Sequence, residues 1–443
     1  MKTILSLQAD LAAGRTTSVA LVESALDNIQ RHRESGGAAY VHVDAERALA
    51  AARASDMARV AGTVASPLAG LPVSIKDLFD VQGEFTRAGS KALAPDAPAL
   101  QDAPTVARLR QAGAILLGRT NMSEFAFSGL GWNPHYGTPR SPFDATRVSG
   151  GSTSGGAVSV AGDMAVAALG TDTGGSIRIP SAFCGLTGFK PTARRVPLTG
   201  AVPLSTSLDS AGPLARSVSC CAIVEGILSN DPLDATPARL DGLRLYVTRD
   251  YVFDGIDDSV ARAFEATLSV LSARGARIVP FDFPELGDLP AINAGGGFTA
   301  AEAWAWHREL LGSHGEDYDQ RVAQRIRRGK NQSASDYIDL LAARLLLQQT
   351  AARRLQDADA WLMPTVAVEA PTVQSLEGAD EDFFAINGKV LRNATVINFL
   401  DGCATALPTH TNGIGYSVCG LAGQDARILK ISAACEAAMG TAA

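Results

Sequence analysis

The stretch SGGSTSGGAVSVAGDMAVAALGTDTGGSIRIPSAFCGLTGFKPT, residues 149–192, decides how this chain folds. It holds two serines beside glycine pairs, Ser152 and Ser176, which are 24 residues apart in mostly apolar sequence. Glycine permits backbone angles that other residues resist, and it lets main-chain N–H groups converge on a charge without an intervening Cβ atom. The apolar surroundings predict that both serines lie in buried structure rather than in a flexible linker.

Outward from this stretch, helical and strand patterns alternate. In LPVSIKDLF (71–79) every second residue from Leu71 to Ile75 is apolar, which predicts a half-buried strand with Lys76 on its opposite face. The segment 16–32 has the apolar spacing of an amphipathic helix, and the order helix, glycine, strand occurs at 102–117, with Asp102 as the predicted helix cap. This alternation predicts an α/β fold with a large mixed sheet flanked by helices on both faces.

The domain organisation is predicted from length and linkers. A chain of 443 residues is long for one domain, but the Pro- and Gly-rich patches are too short and too apolar to be free linkers. We therefore expect one domain over residues 1–443, in which a helical N-terminal section of about 1–65 packs on a core of about 66–215.

Composition excludes several classes of partner. The net charge is −7 and the Lys and Arg residues are scattered, so neither nucleic acid nor an anionic membrane is expected as a partner. The densest basic run, 321–330, is interpreted as a solvated helix face. No apolar run approaches the ~20 residues of a membrane span, and polar residues interrupt the start of the chain before a signal-peptide core forms, so a cytoplasmic location is expected.

The six cysteines indicate neither disulfides nor a metal site. None forms a C-x-x-C pair or clusters with histidine, and buried reduced thiols are the expected state. No metal and no other cofactor is predicted.

Ser176 has the surroundings of a nucleophile. If its Oγ attacked a carbonyl carbon, the backbone N–H groups of Thr173, Gly174, Gly175 and Ser176 could bind the resulting oxyanion. No G-x-S-x-G turn surrounds Ser176, and none of the histidines lies in a motif that resembles the histidine of a known catalytic triad. Another base is therefore required. Lys76 can serve if desolvation keeps its amine neutral, and Ser152 can relay the proton between the two.

Four segments together resemble the amidase signature family of Ser–cisSer–Lys hydrolases. They are GLPVSIKDLFDV (70–81), GRTNMSEFAFSG (118–129), the stretch 149–192 and DADAWLMPTVAVEAP (357–371). The resemblance is dense over about 70–215 and thinner towards the C-terminus. It implies the amidase signature fold and a metal-free hydrolase that cleaves the C–N bond of a small carboxylic amide through an acyl-enzyme.

The same resemblance implies roles for individual residues. Lys76 would be the base, Ser152 the serine that follows a cis peptide bond after Gly151, and Ser176 the acylated nucleophile. Asp172 and Arg178 would brace the loop, while Ser149 and Ser154 would donate hydrogen bonds around Lys76. The residues expected to contact substrate are Met122, Phe125, Phe127, Cys403 and His410.

Several alternatives remain open. The same triad could hydrolyse esters, aryl anilides or carbamates, or the chain could be the glutaminase subunit of an amidotransferase. Members of that branch usually carry a Y-D-G-x-R-Y-G stretch, where this chain has DYDQRVAQRIRRG (317–329). A catalytically silent binding or scaffold protein is a third alternative. A homodimer is expected on general frequency alone.

Overall fold

One mixed sheet runs through the residues that a computed structural model describes, 2–94 and 97–440. Its strands are β1 (Tyr40–Val43), β2 (Pro72–Lys76), β3 (Ile115–Thr120), β4 (Ala167–Asp172), β5 (Thr187–Lys190), β6 (Ser210–Ala215), β7 (Arg244–Val247), β8 (Arg277–Pro280), β9 (Ala360–Pro364), β10 (Cys403–Pro408) and β11 (Gly415–Gly420). Their order across the sheet is β1-β3-β2-β4-β6-β5-β10-β11-β9-β7-β8.

The sheet combines parallel and antiparallel pairs. Strand β2 lies parallel to both β3 and β4, and β7 lies parallel to both β8 and β9. The strands between these two groups, from β6 to β11, pair antiparallel with their neighbours. The predicted α/β class with a large mixed sheet is therefore confirmed.

The helices connect these strands. They are α1 (Ile4–Ala12), α2 (Ser18–Glu34), α3 (Ala45–Val60), α4 (Pro104–Gln111), α5 (Ser154–Ala161), α6 (Arg178–Phe183), α7 (Val218–Ser229), α8 (Asp258–Ala273), α9 (Leu289–Ile292), α10 (Gly297–His314), α11 (Gln320–Arg327), α12 (Ala334–Arg354), α13 (Asp380–Phe399) and α14 (Asp425–Met439).

Helices cover both faces of the sheet, as the alternation along β4 shows. Ala168 packs in one apolar cluster with residues of α5, whereas Ala167 and Leu169 pack in another with residues of α7. Because successive side chains of a strand point to opposite faces, the two clusters lie on opposite sides of the sheet. Fully burying a Leu side chain contributes about 1.5–3 kcal/mol, so these two clusters anchor the centre of the fold.

Two local predictions near the N-terminal half are corrected. The section of about 1–65 is not wholly helical, because Tyr40–Val43 forms the edge strand β1 and pairs antiparallel with β3. Asp102 does not cap α4, whose N-cap is Ala103; the Asp102 carboxylate instead accepts hydrogen bonds from Gln82 N and Arg110 Nε. The predicted helix at 16–32 is present as α2.

Candidate active site

Lys76 is the last residue of β2 and is fully buried. Its Nζ donates hydrogen bonds to Ser152 Oγ and to Thr171 Oγ1, both at 2.8 Å. Burial lowers the pKa of the Lys76 ammonium to about 7, while the negative charges of Asp209 and Asp172 oppose a further fall. A large fraction of the amine is therefore neutral near pH 7, as a general base requires.

The prediction that β2 is half-buried is wrong, and the reason explains the state of Lys76. All five residues of β2 are buried, including Ser74 and Lys76 at 0% exposure. A strand hydrogen-bonded on both edges and covered by helices on both faces has no solvent side. The polar residues of β2 therefore meet other polar side chains in the interior instead of water.

Ser152 lies two residues before α5, in a segment where close backbone contacts require glycine. The Gly151–Ser152 peptide bond is cis, and Gly151 N donates to Gly129 O at 2.8 Å. A Cβ atom on Gly151 would lie 2.5 Å from Gly131 N and 2.7 Å from Gly131 Cα, which is closer than packed atoms approach. The glycines before Ser152 thus let this segment lie directly against residues 129–131.

Ser176 lies in the loop between β4 and α6, next to the Ser152 segment. Its carbonyl oxygen accepts a hydrogen bond from Thr153 N at 3.2 Å, and the whole residue is 3% exposed. Its Oγ has no hydrogen bond to the rest of the described chain and lines a cavity. The structure therefore brings Lys76, Ser152 and Ser176 together in one place.

The four N–H groups predicted for an oxyanion hole are not all free. Gly175 N already donates to Asp172 Oδ1 at 2.9 Å. Within residues 2–94 and 97–440, the amides of Thr173, Gly174 and Ser176 have no protein acceptor. The expected set is therefore corrected to three available donors, because the carboxylate that shapes the loop occupies the fourth.

Asp172 and Arg178 form the predicted brace of this loop. Their side chains are fully buried, with Arg178 Nη2 2.9 Å from Asp172 Oδ1, and Arg178 also donates to Asn398 Oδ1 at 2.6 Å. Desolvation alone would raise the pKa of Asp172, but the charge and hydrogen bonds of Arg178 outweigh it and hold that pKa well below its usual range. The carboxylate stays ionised and connects the start of the loop to Gly175 N, Ile177 N and Arg178.

Ser149 and Ser154 were expected to donate hydrogen bonds around Lys76, but their hydroxyls bond to backbone carbonyls elsewhere. The Ser149 hydroxyl donates to Pro139 O at 3.1 Å, and that of Ser154 donates to Asn121 O at 3.5 Å. The second partner of Lys76 is Thr171, which the sequence analysis missed. Thr171 lies on β4, the strand directly beside β2, and this neighbourhood is known only from the pairing of the strands.

Asp209 is a second residue that the sequence analysis missed. Its buried carboxylate accepts hydrogen bonds from Thr173 Oγ1 and from the backbone amides of Leu204 and Ser205. Burial raises the pKa of Asp209 to about 6, and these hydrogen bonds limit the rise. It places a negative charge beside the loop that contains Ser176 and near Lys76.

Two cavities meet at this loop. The one that contains Ser176 has a volume of about 160 Å³, and Phe127 and Arg325 also line it. The second, of about 370 Å³, is lined by Thr171 and Asp209. Thr173, Ala126 and Leu204 border both cavities, so the two cavities adjoin at the loop that contains Ser176.

Of the residues expected to contact substrate, Phe127 alone lines the Ser176 cavity. Met122 is packed in the main apolar cluster, and Phe125 lies against the rings of His307 and Tyr318 at 4.4 and 5.1 Å. Cys403 is buried at the start of β10, where its thiol faces Leu421 O, and His410 is exposed, with Nε2 2.7 Å from Met439 O. Neither residue lines the cavity that contains Ser176.

A buried lysine hydrogen-bonded to one serine beside a second serine defines a class of hydrolase that uses serine without histidine. The chain belongs to the amidase family, whose family model matches residues 20–429. Family membership and amide hydrolysis, both predicted from the sequence, are confirmed.

Three similar proteins cover between 64% and 99% of the chain. The protein named 2-amino-5-chloromuconic acid deaminase from Comamonas testosteroni is 37% identical over 434 residues, which are 96% of this chain and 93% of that protein. One subunit of the glutamyl-tRNA(Gln) amidotransferase from Chromohalobacter salexigens is 43% identical over 297 residues, 64% of this chain and 60% of that subunit. A crystal structure of an amidase superposes with a TM-score of 0.90 at 34% identity, covering 99% of this chain and 100% of the other.

Among residues 2–94 and 97–440, no three His, Cys, Asp or Glu side chains are grouped so that they could hold a metal ion. No helix in the same ranges is both long and apolar enough to cross a bilayer.

Proposed function

We propose that Ser176 is the nucleophile, Ser152 the proton relay and Lys76 the general base in the hydrolysis of a short carboxylic amide. The observation that supports this most is the 2.8 Å hydrogen bond between the fully buried Lys76 Nζ and Ser152 Oγ, beside Ser176. A lysine whose pKa is lowered to about 7 can exchange a proton with a hydroxyl at neutral pH.

The proposed reaction has two halves. Ser176 Oγ bonds to the amide carbon while its proton passes to Ser152, whose own proton passes to neutral Lys76. The N–H groups of Thr173, Gly174 and Ser176 stabilise the oxyanion. The C–N bond then breaks as the proton returns through Ser152 to the leaving nitrogen, which departs as an amine or ammonia. Water attacks the resulting ester and releases the acid, with Lys76 again as base.

The two serine hydroxyls must approach each other during this reaction. Ser152 and Ser176 share no side-chain hydrogen bond in the described part of the chain. Catalytic hydrogen bonds are often long in free enzymes and tighten in the substrate complex. We therefore assign the shortening of this contact to substrate binding.

Substitution of the serines tests the proposed roles. Ser176→Ala should abolish hydrolysis of every member of a panel of aliphatic amides, aryl anilides, esters and carbamates, and Ser152→Ala should lower it severely. Ser159→Ala is the matched control, because this buried serine of α5 bonds to Gly156 O and Ser74 Oγ away from the loop. Retained hydrolysis in Ser176→Ala would refute the nucleophile assignment.

A glutaminase component of an amidotransferase is a second candidate, because one subunit of a glutamyl-tRNA(Gln) amidotransferase is 43% identical to this chain over 297 residues. Release of ammonia from glutamine, together with copurification of a second protein chain from the native source, would support it. A homodimer and a cytoplasmic location stay predictions, and sedimentation analysis of the purified chain tests the first.

A further inference from the structure

The cavity that contains Ser176 is also lined by Arg325, from α11. The sequence analysis interpreted the basic run 321–330 as a solvated helix face. That interpretation is wrong for this residue, because its guanidinium lies 4.5 Å from the centre of the Phe127 ring, and one of its Nη atoms donates to Phe127 O. A cation therefore lies in the wall of the cavity beside the proposed nucleophile.

Arg325 has no carboxylate partner. Within residues 2–94 and 97–440, no Asp or Glu oxygen lies within 4 Å of its guanidinium, and its Nε and second Nη donate to no protein acceptor. Arg321, one turn earlier on the same helix, shows the usual alternative, with Asp380 2.7 Å from its Nε. Arg325, which lines the cavity, thus keeps hydrogen-bond donors that no acceptor in the described residues uses.

The charge of Arg325 persists at neutral pH. Burial lowers its pKa to about 10, and the positive charge of Arg328 contributes to the fall. Arg325 is half-buried and has no counter-ion, and the cost of partly desolvating its charge is offset when a ligand supplies the missing anion. A guanidinium matches the two oxygens of a carboxylate with two parallel hydrogen bonds.

The rest of the cavity restricts what the anion can be attached to. Its volume of about 160 Å³ is well below the roughly 300–1,000 Å³ of pockets for drug-sized ligands. Apolar side chains supply much of its wall, among them Leu208, Phe298 and Leu391, and no Asp or Glu is among its described lining residues. The cavity therefore suits a short chain with an apolar middle, and it offers no partner to an ammonium group.

We propose that the substrate is the half-amide of a short dicarboxylic acid, whose free carboxylate binds Arg325 while its amide carbon lies at Ser176. This inference rests on the proposed function and adds the substrate class to it. The described lining of this cavity contains no acidic residue to pair with the ammonium group that glutamine carries beside its carboxylate, and Asp209 lines the adjoining cavity instead.

Substrates of matched length test the proposal. Succinamate and glutaramate carry the carboxylate, butanamide and pentanamide lack it, and L-glutamine is glutaramate with an added α-ammonium group. We expect kcat/KM for the better half-amide to exceed that for its neutral counterpart by about 100-fold, the usual scale for a desolvated charge pair. Glutaramate should also exceed L-glutamine by about 10-fold, because the ammonium group would be left unpaired.

Variants of Arg325 test whether this residue causes the preference for half-amides over neutral amides. Arg325→Gln should lower kcat/KM for the half-amide about 100-fold and leave the neutral amide within about 3-fold, and Arg325→Lys should recover part of the loss. Arg328→Gln is the matched control, because Arg328 is exposed and donates to Ala294 O. An equal fall for charged and neutral amides in Arg325→Gln would overturn the proposal.

Two further results separate this inference from the proposed mechanism. If Ser176 reacts with a fluorophosphonate and neutral amides are hydrolysed, but wild type shows no preference for half-amides, the substrate assignment fails and the mechanism stands. Calorimetric binding of succinate to Ser176→Ala measures the carboxylate contact without turnover. Binding that Arg325→Gln weakens about 100-fold supports the assignment, and equal binding with and without Arg325 refutes it.

Discussion

At the scale of single residues, the proposed chemistry depends on charges buried around Lys76. Desolvation favours its neutral form, whereas the carboxylates of Asp209 and Asp172 favour the ammonium. The Asp172 charge is paired with Arg178, whereas among residues 2–94 and 97–440 the Asp209 carboxylate has hydrogen bonds from Thr173 and two backbone amides but no cationic partner. Asp209 is therefore the residue best placed to set the pH at which Lys76 becomes neutral.

Replacing Asp209 should shift the pH dependence of catalysis. Asp209→Asn removes a negative charge that stabilises the ammonium, so the pKa of Lys76 falls below about 7 and the acid limb of kcat/KM moves to lower pH. Glu302→Gln is the control, because Glu302 bonds to Ser205 and Ser207 on the same segment but is not among the charges that shift Lys76. An acid limb that stays in place, or moves upward, would contradict this role.

The sequence predicted the residues that motifs identify, but it did not predict the residues that surround them in the folded chain. Lys76, Ser152 and Ser176 were found from motifs and do come together. Thr171, Asp209 and Arg325 were missed, because a single threonine, aspartate or arginine has no local signature until strand pairing and helix packing bring it to the loop. The basic run 321–330 illustrates this, since its composition is typical of a solvated face while packing against Phe127 turns one member inward.

At the scale of elements, the loop between β4 and α6 is shaped by glycine and by the Asp172–Arg178 pair. Gly175 has φ of +118°, and a Cβ atom there would lie 2.5 Å from Ala394 Cβ and 2.6 Å from Ile179 Cδ1. Gly174 has no such φ, and its nearest contact would be Thr395 Oγ1 at 3.1 Å. Both the backbone conformation and the packing at position 175 therefore require glycine, whereas at position 174 the closest obstacle to a larger residue is the Thr395 side chain.

This difference predicts unequal effects of adding one methyl group. Gly175→Ala should lower the free energy of unfolding by about 2 kcal/mol or more, through strain and steric overlap, and should remove most activity. Gly174→Ala should cost less stability, since one threonine side chain can move aside. Urea unfolding of the two variants measures this, and equal losses would mean that the loop does not depend on the conformation of Gly175.

Whole elements were predictable where periodicity is strong. Helix α2 follows from the spacing of Val22, Leu26 and Ile29, whereas the four-residue strand β1 was missed because it is too short to show alternation. The burial of β2 could not be predicted from its own sequence either. Its alternating pattern is that of a half-buried strand, and its enclosure depends on β3, β4 and the helices that cover them.

At the scale of the whole molecule, every strand of the described chain belongs to one sheet, which supports the proposed single domain over 1–443. The N-terminal section covers part of that sheet, since α2 and β1 pack in the same apolar cluster as Ile115 and Leu117 of β3. Deleting residues 1–65 should therefore yield insoluble or unfolded protein. Soluble yield and circular dichroism measure the outcome, and a folded, active truncated chain would contradict a single domain.

Burial of Lys76 should also appear in the pH dependence of global stability. Between about pH 7 and 10.5 the unfolded chain binds a proton at this lysine that the folded chain does not, so stability rises with pH. Relative to Lys76→Met, the free energy of unfolding of wild type should rise by about 1.4 kcal/mol per pH unit over the middle of this range. Parallel denaturant titrations of both proteins test this, and a constant difference would mean that Lys76 titrates normally.

The most direct test of the central claim is the rate at which a fluorophosphonate labels the protein as a function of pH, with the labelled residue identified by mass spectrometry. The proposed triad predicts that the label is on Ser176 and that the rate rises with an apparent pKa of about 7. Lys76→Ala should lower the rate by roughly 10²–10⁴-fold and remove that inflection. A label on another residue, or the same inflection without Lys76, would contradict the account.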